Sequence, residues 1–235
     1  MFNSYNVKQS TSGYHMISKL SHEIRTPLAI IHSNLQLLNN ENFTADAKLK
    51  EEAFNLSFLA LKNIIQLLDN ISLLNKSKHE SLEIHLSQTN VLDLINIVVD
   101  ELNSIKEYNR RIRVNHELIR NQVKIDAFLV EQVLSNVITN ALKYSDHESQ
   151  VDFCIEQDDD NIYFQVTDYG IGIPEADIEN IYDSFYRGKN TQSVKGTGLG
   201  LNIVQRCLEM LNGSIHISSQ LNHGTTVQIT IPYEQ

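Results

Sequence analysis

The chain has 235 residues, 41% of them hydrophobic, and a formal net charge of −10. This length suits two domains, each with an apolar core of useful size. The negative field argues against non-specific binding to nucleic acid or to an anionic membrane, which leaves proteins and small ligands as expected partners.

Met1–Ser12 is polar, lacks a signal-peptide core and reads as a tail or linker. From Ile17 onward, Ile17, Leu20, Ile24, Leu28, Ile31, Leu35 and Leu38 recur at spacings of three and four, which predicts the seam of a long amphipathic helix. Leu49, Ala53, Leu56, Ala60, Ile64, Leu67, Ile71 and Leu74 repeat that spacing, and the polar stretch Asn39–Asp46 between the two runs is a predicted connection. Residues 13–78 therefore read as a helical hairpin. One hairpin covers its apolar stripes poorly, so a dimeric four-helix bundle, and hence a homodimer, is expected.

Residues 79–235 change pattern to mixed helices and strands, an α+β domain. Leu82–Leu86 alternates like a short strand. Val91–Tyr108 is a predicted helix, and Ile112–His116 and Gln122–Ile125 are predicted strands. Asp126 is placed to cap a helix reaching about Tyr144. Val151–Ile155 and Ile162–Val166 flank a turn at Asp158–Asn161. A last helix, Asn202–Leu211, precedes a hairpin of Ile215–Ser218 with Thr226–Ile231 around Asn222-His223-Gly224. Cys154 and Cys207 lack metal-ligand spacing and read as reduced core thiols. No run approaches the roughly 18 apolar residues of a membrane span, so a cytoplasmic location is expected.

Two constellations carry chemistry. Ser21-His22-Glu23-Ile24-Arg25-Thr26-Pro27-Leu28 sets a nucleophile beside a carboxylate, with His22 off the apolar seam and expected to point outward. Imidazole is a competent nucleophile near neutral pH, and a carboxylate can orient it and take its proton. Pro27 removes one helical hydrogen bond and is either a hinge or a passive kink. Further on, Asn136 and Asn140 share a helix face with Lys143 a turn beyond, which is either a solvated stripe or part of a ligand site. Asp168, Gly170 and Gly172 end a strand with an acid and two glycines, allowing backbone to approach a ligand while the carboxylate accepts from an amino group. Gly196-Thr197-Gly198-Leu199-Gly200 opens a helix, whose free amides suit phosphate oxygens. In this order the three clusters point to a nucleotide.

From about Gly13 to Gln235 the chain resembles the transmitter core of bacterial two-component sensor histidine kinases. Ser21–Leu28 resembles that family's H box, Asn136–Tyr144 its N box, Asp168–Gly172 its G1 box, Phe185-Tyr186-Arg187 its F box and Gly196–Gly200 its G2 box. The resemblance implies a dimerisation and histidine-phosphotransfer hairpin followed by a Bergerat-type α/β sandwich that binds ATP and Mg²⁺. It also implies autophosphorylation of His22, with Glu23 as base, and transfer to an aspartate of a response-regulator receiver domain. No nucleic acid and no direct membrane contact in this chain are expected, although the chain could be the cytosolic part of a membrane-anchored sensor.

By the same resemblance Asn140 ligates Mg²⁺, Asn136 helps to hold metal and phosphates, and Lys143 contacts phosphate. Asp168 accepts from the adenine amine, and the G1 and G2 residues Gly170, Gly172, Gly196, Thr197, Gly198, Leu199 and Gly200 line the nucleotide. Tyr144 lies against the nucleotide or packs in the core. Phe185 anchors an ATP lid that includes Asn190-Thr191-Gln192-Ser193. Arg187 and Lys195 reach the phosphates or sit on a solvated surface. Thr26 orients water for dephosphorylating the regulator or is plain helix surface. Two other readings are a gyrase- or chaperone-like ATPase clamp, which would carry Glu where this chain has Asn136, and a weakly active dimeric signalling scaffold.

Overall fold

The computed structural model describes residues 3–39, 47–75, 84–105, 108, 111–146, 148–191, 194 and 196–234. It divides into two compact units, Met1–Asn75 and Lys76–Gln235. The connection from Asn40 to Asp46, Leu82, His147, Gln192, Ser193, Lys195 and the side chain of His22 lie outside the described residues.

The first unit is a hairpin of α1 (Asn3–Leu38) and α2 (Ala47–Asn75). Helix α1 starts at Asn3, so the expected tail forms its first turns, and Pro27 lies inside the continuous helix. The face of α2 turned to α1 carries Ala53, Ala60 and Leu67, all buried, with Ile64 and Ile71 half-buried. Four residues of the predicted seams, Leu28, Leu35, Leu49 and Leu56, are instead exposed. The hairpin seam is rotated: buried Pro27 and half-buried Asn34 take the inward positions on α1, and Ser57 does so on α2, where its Oγ donates to Ala53 O at 2.8 Å. Both helices are apolar over more than one stripe, and spacing alone does not say which stripe meets which neighbour.

The second unit adds β1 (Ser87–Asn90), α3 (Val91–Ser104), β2 (Ile112–Glu117), β3 (Gln122–Ile125), α4 (Ala127–Tyr144), β4 (Val151–Gln157), β5 (Asn161–Asp168), α5 (Gly200–Met210), β6 (Ser214–Gln220) and β7 (Gly224–Pro232). Five strands form one sheet in the order β2-β4-β5-β7-β6, with β2 parallel to β4 and the other neighbours antiparallel. Alternate residues of the central strands, Phe153 and Ile155, Ile162 and Phe164, Ile229 and Ile231, are buried on the face where α4 packs against β4 and β5 and α5 against β6, with α3 packed on α4. The opposite face carries half-exposed or exposed residues such as Asp152, Gln165 and Gln228. This is a two-layer α/β sandwich.

Two expected elements and one expected core thiol differ. The strand predicted at Leu82–Leu86 lies instead at Ser87–Asn90, where it pairs antiparallel with β3 from Ser87↔Ile125 to Asn90↔Gln122. Ile84 and Leu86 are exposed, and the nearby His85 N–H donates to Asp126 Oδ2 at 2.8 Å rather than to a strand. Helix α3 ends at Ser104 because Ile105 turns to extended backbone, φ −77 and ψ 116. Cys154 is half-exposed on the sheet, whereas Cys207 is buried and its thiol is pushed up to about 12, chiefly by burial, which leaves it unreactive. Among the described residues, no helix is long and apolar enough to cross a membrane.

Candidate functional site

Each unit contributes a candidate region. On α1, His22, Glu23 and Thr26 fall in one stretch; Glu23 is half-buried, Arg25 and Thr26 are exposed and Pro27 is buried. A shallow depression of about 490 Å³ follows, lined by Arg25, Thr26, Ala29, Ile30 and Ser33.

In the second unit the site is built between α4, α5 and the loops at one end of the sheet. Asp126 caps α4, its Oδ1 accepting from Leu129 N at 3.1 Å. This fixes the helix whose polar face carries Asn136, Asn140 and the exposed Lys143. Asn136 Nδ2 donates back to Gln132 O at 2.7 Å, which turns Oδ1 toward the start of α5. There a Cβ on Gly200 would lie 3.0 Å from Asn136 Oδ1 and 3.6 Å from Asn140 Nδ2. The structure thus brings together two residues from one motif and one from another, 60 positions along the chain.

Helix α5 begins at this contact without a side-chain cap on Leu199, and Thr197 Oγ1 accepts from Leu199 N at 3.3 Å. Its first-turn amides have no intrahelical acceptor, so with the helix dipole they suit anionic oxygens. Gly198 is left-handed, φ 73, and a Cβ there would sit 2.7 Å from Tyr186 O. A Cβ on Gly196 would meet nothing within 4 Å, so its surroundings are open.

Asp168 closes the other end. It is 7% exposed, and its Oδ1 accepts from Gly170 N at 2.9 Å. Burial pushes its carboxyl up to about 6, against the lowering effect of the backbone N–H groups of Gly170 and Thr225. Gly170 is required sterically, because a Cβ would fall 2.1 Å from Tyr144 O, the carbonyl that also accepts from Ile171 N at 3.1 Å. Tyr144 itself is half-buried; burial raises its hydroxyl pKa and the Arg187 charge opposes that rise.

The segment from Gly172 to Gly196 is fastened at its base. Phe185, at φ 65, donates its N–H to Gly198 O at 2.8 Å, so two left-handed residues meet there, one inside the segment and one just beyond it. Tyr186 OH donates to Asp177 Oδ1 at 2.8 Å, and Asn190 Nδ2 to Gly172 O at 3.1 Å. Arg187 Nη2 donates to Thr191 O and Val194 O, tying the guanidinium to the segment's own backbone, while its Nε is buried without a hydrogen-bond partner among the described residues.

The turn between β6 and β7 joins this site without any motif to announce it. Thr225 N reaches Asp168, a Cβ on Gly224 would fall 2.0 Å from Asp168 O, and Asn222 N donates to Ile171 O at 2.8 Å. Ser219 Oγ accepts from Ile173 N at 2.8 Å. Asn222-His223-Gly224 signals a hairpin turn, and no local pattern says which loop it will touch.

Comparison with known proteins agrees with this geometry. Residues 14–80 match the His Kinase A (phospho-acceptor) domain, and residues 125–235 match the histidine kinase-, DNA gyrase B- and HSP90-like ATPase domain. The chain belongs to the sensor histidine kinases. It corresponds to their transmitter core, and the helical unit followed by an α/β sandwich is the fold of solved kinases. The sensor histidine kinase WalK of Bacillus subtilis is 31% identical over 229 residues, covering 93% of this chain and 36% of WalK. Histidine kinase AdeS of Acinetobacter baumannii shares the fold at a TM-score of 0.61 and 23% identity, covering 91% of this chain and 98% of that one. The full-length ShkA structure in complex with AMPPNP shares it at 0.65 and 21% identity, covering 94% of this chain and 46% of that one. The chain thus spans about a third of its WalK relative.

Proposed function

We propose that this transmitter core binds Mg²⁺-ATP in the second unit, transfers the γ-phosphoryl group to His22, and passes it to an aspartate of a response-regulator receiver domain. The observation that carries the reading is the convergence of Asn136, Asn140 and the uncapped start of α5 at Gly200, with a buried carboxylate, Asp168, at the adenine end. The AMPPNP in the ShkA complex supports a nucleotide in this fold.

Asp168 accepts from the adenine amine, which favours ATP over GTP. Gly170 and Gly172 let backbone close on the base, and Tyr144 flanks the nucleotide. The amides at the start of α5 donate to phosphate oxygens, with Lys143 and Lys195 supplying charge; Gly196, Thr197, Gly198, Leu199 and Gly200 line the nucleotide beneath a lid based at Phe185. Arg187 is the other cation for the phosphates. For a divalent cation the donors fit: Asn136 Oδ1 is turned into the site, and amide oxygens suit a hard ion without adding negative charge beside a triphosphate. Asn140 is the principal ligand and Asn136 assists. A bound Mg²⁺ would neutralise charge on the transferred group.

The transfer forms a bond from an imidazole nitrogen of His22 to the γ-phosphorus and breaks the bond from that phosphorus to the β–γ bridging oxygen, releasing ADP. The proton of the other ring nitrogen passes to Glu23. In the reverse reaction Thr26 orients water toward the phospho-aspartate of a regulator docked over the depression at Arg25–Ser33. The kinase acts as a homodimer. Phe54, Phe58, Leu61, Ile65 and Leu68 form an exposed stripe at spacings of four and three along α2, and a second hairpin would cover it as a four-helix bundle. The phospho-acceptor match over residues 14–80 weighs against a gyrase- or chaperone-like clamp, and the intact nucleotide motifs weigh against a passive scaffold.

Incubation with γ-³²P-ATP and Mg²⁺ should put acid-labile, base-stable label on the protein, and His22→Gln should abolish it. Label retained in that variant would refute the assignment. Thr26→Ala should keep autophosphorylation and lose most dephosphorylation of a phosphorylated regulator, and an unchanged dephosphorylation rate would remove Thr26 from the scheme.

A further inference from the structure

Asp168, Thr225 and Ser219 stand in one row across the sheet. Asp168 is opposite Thr225 in the β5–β7 ladder, and Thr225 is opposite Ser219 in the β7–β6 ladder. Directly opposed residues share a face, so this polar row continues the helix-covered face on which Val166 and Val227 are buried. Ser219 is half-buried and has no role in the scheme above.

Its hydroxyl is fully used. A serine hydroxyl has one proton and two lone pairs. Ser219 Oγ donates to Gly224 O at 3.0 Å and accepts from Ile173 N at 2.8 Å. Thr225 Oγ1 lies 2.8 Å away, and with the Ser219 proton already given it is the Thr225 hydroxyl that donates. One side chain therefore joins the return of the glycine loop, at Ile173, to Gly224 and Thr225, the turn residues that meet Asp168. The carboxyl is bracketed by the same two segments: Gly170 N–H donates to it from the loop at 2.9 Å, and Thr225 N–H donates from the turn. A further tie between loop and turn, Asn222 N to Ile171 O at 2.8 Å, is main chain and does not depend on Ser219.

We propose that Ser219 is a positioning residue for Asp168: its hydroxyl clamps loop to turn, so that the Gly170 and Thr225 N–H groups stay on the carboxyl and hold it toward the adenine amine. The proposal rests on the nucleotide reading of this site. Burial and the two N–H groups act on the carboxyl in opposite directions, burial raising it to about 6 and the N–H groups lowering it. A clamp and a packing role therefore differ in sign. Weakened N–H contacts move the midpoint further up, whereas loosened packing admits water and moves it down toward 3.8. The other titratable or charged side chains on the surrounding elements are Lys143 and Tyr144 on α4, Tyr169 beside Asp168, Arg187 in the Gly172–Gly196 segment and His223 in the turn, and the test variants keep them all.

The test is a pH titration of the Asp168 carboxyl in the nucleotide-free full chain, read by ¹³C NMR of aspartate-labelled protein and identified by the signal missing from Asp168→Asn. Ser219→Ala should raise the midpoint by about one unit, the tenfold change in proton affinity that follows from weakening one hydrogen bond to a charged group. AMPPNP affinity relative to the parent should then fall roughly fivefold at pH 6 and hardly at all at pH 8, where the carboxyl is ionised in both proteins. An unmoved or lowered midpoint would make Ser219 a packing residue. A raised midpoint with parental AMPPNP affinity at pH 6 would also overturn the proposal, because the carboxyl would not be what the nucleotide meets. If Ser219→Ala does not fold, Ser219→Cys, a weaker donor and acceptor, should give a smaller rise, and the absence of a rise overturns the proposal. The titration needs no nucleotide, so a parent that fails to bind AMPPNP is a separate failure, of the nucleotide reading, and the proposal falls with it.

Discussion

The two units are incomplete in opposite ways. The hairpin leaves apolar side chains without cover: Phe54 and Phe58 are 62% and 63% exposed on α2, beside Leu61, Ile65 and Leu68. The sandwich closes its apolar core, with Phe153 and Phe164 stacked at 6.2 Å and Ile138, Ile162 and Ile203 fully buried. It leaves polar groups unfinished instead: a buried carboxyl at Asp168, an uncapped helix start at Gly200 and, among the described residues, unpaired atoms on Gln132 and Arg187. Missing apolar cover is supplied by another protein surface, because burial is non-directional and scales with area. Missing hydrogen bonds are supplied by a ligand of defined shape, because they are directional. On the proposed reading a second copy completes the first unit and a nucleotide completes the second.

The largest expected effect breaks the first half of this contrast. Phe58→Glu puts a charge in the centre of the exposed α2 stripe, twice in a symmetric dimer. Loss of roughly 1.5–3 kcal/mol per buried phenyl ring, doubled by symmetry, should weaken dimerisation on the order of 100-fold or more. Sedimentation equilibrium would read this directly, and unchanged association would remove the stripe from the interface. Nucleotide binding by the second unit should be untouched.

A smaller effect tests the second half. Gly170→Ala places a Cβ 2.1 Å from Tyr144 O, which is backbone and cannot rotate away. Overpacking of this severity should cost about 3 kcal/mol. Calorimetry should show a lowered transition for the sandwich unit, with the hairpin transition unmoved and AMPPNP affinity reduced. A parental transition would show that the junction of α4 with the glycine loop yields at little cost.

The same contrast separates what is legible in the sequence from what is not. Gln122–Ile125 and the cap at Asp126 are readable because alternation and capping are local rules, and β3 and α4 obey them. The positions of Asn136, Asn140, Asp168 and Gly200 are readable as motifs, and the structure brings Asn136, Asn140 and Gly200 into contact. Ser87–Asn90 escapes a reading of alternation because it is a polar strand whose ladder is set by β3, while the neighbouring Leu82–Leu86 mimics the pattern. Leu28, Leu35, Leu49 and Leu56 fit the hairpin seam by spacing yet lie outside it, because an apolar period records burial and not the partner. Gly224 and Thr225 are invisible as site residues because their contact with Asp168 spans more than fifty positions and depends on sheet register. Residue type leaves Arg187 between the phosphates and a solvated surface, whereas its guanidinium donates to Thr191 O and Val194 O, an arrangement only the folded loop defines.

The finest test concerns the cost of keeping Asp168 buried. Its carboxyl rises from 3.8 to about 6 in the fold, chiefly through burial. A raised folded-state pKa means that the folded domain holds the proton more tightly than the unfolded chain. The associated stability is fully present below pH 4 and is lost as the pH rises through 6, to a ceiling of about 3 kcal/mol. Asp168→Asn removes the titration, so the nucleotide-free variant should gain stability over the parent at pH 8 and show little gain at pH 4, as read by urea unfolding at the two pH values. Nucleotide binding should respond in the opposite sense. On the proposed reading the ionised carboxylate accepts from the adenine amine, so parental ATP affinity should fall between pH 7 and pH 5, while the Asn variant should bind weakly without that dependence. If the variant kept the parent's pH dependence, another group would be titrating, and the polar incompleteness of the sandwich would have to be located away from Asp168.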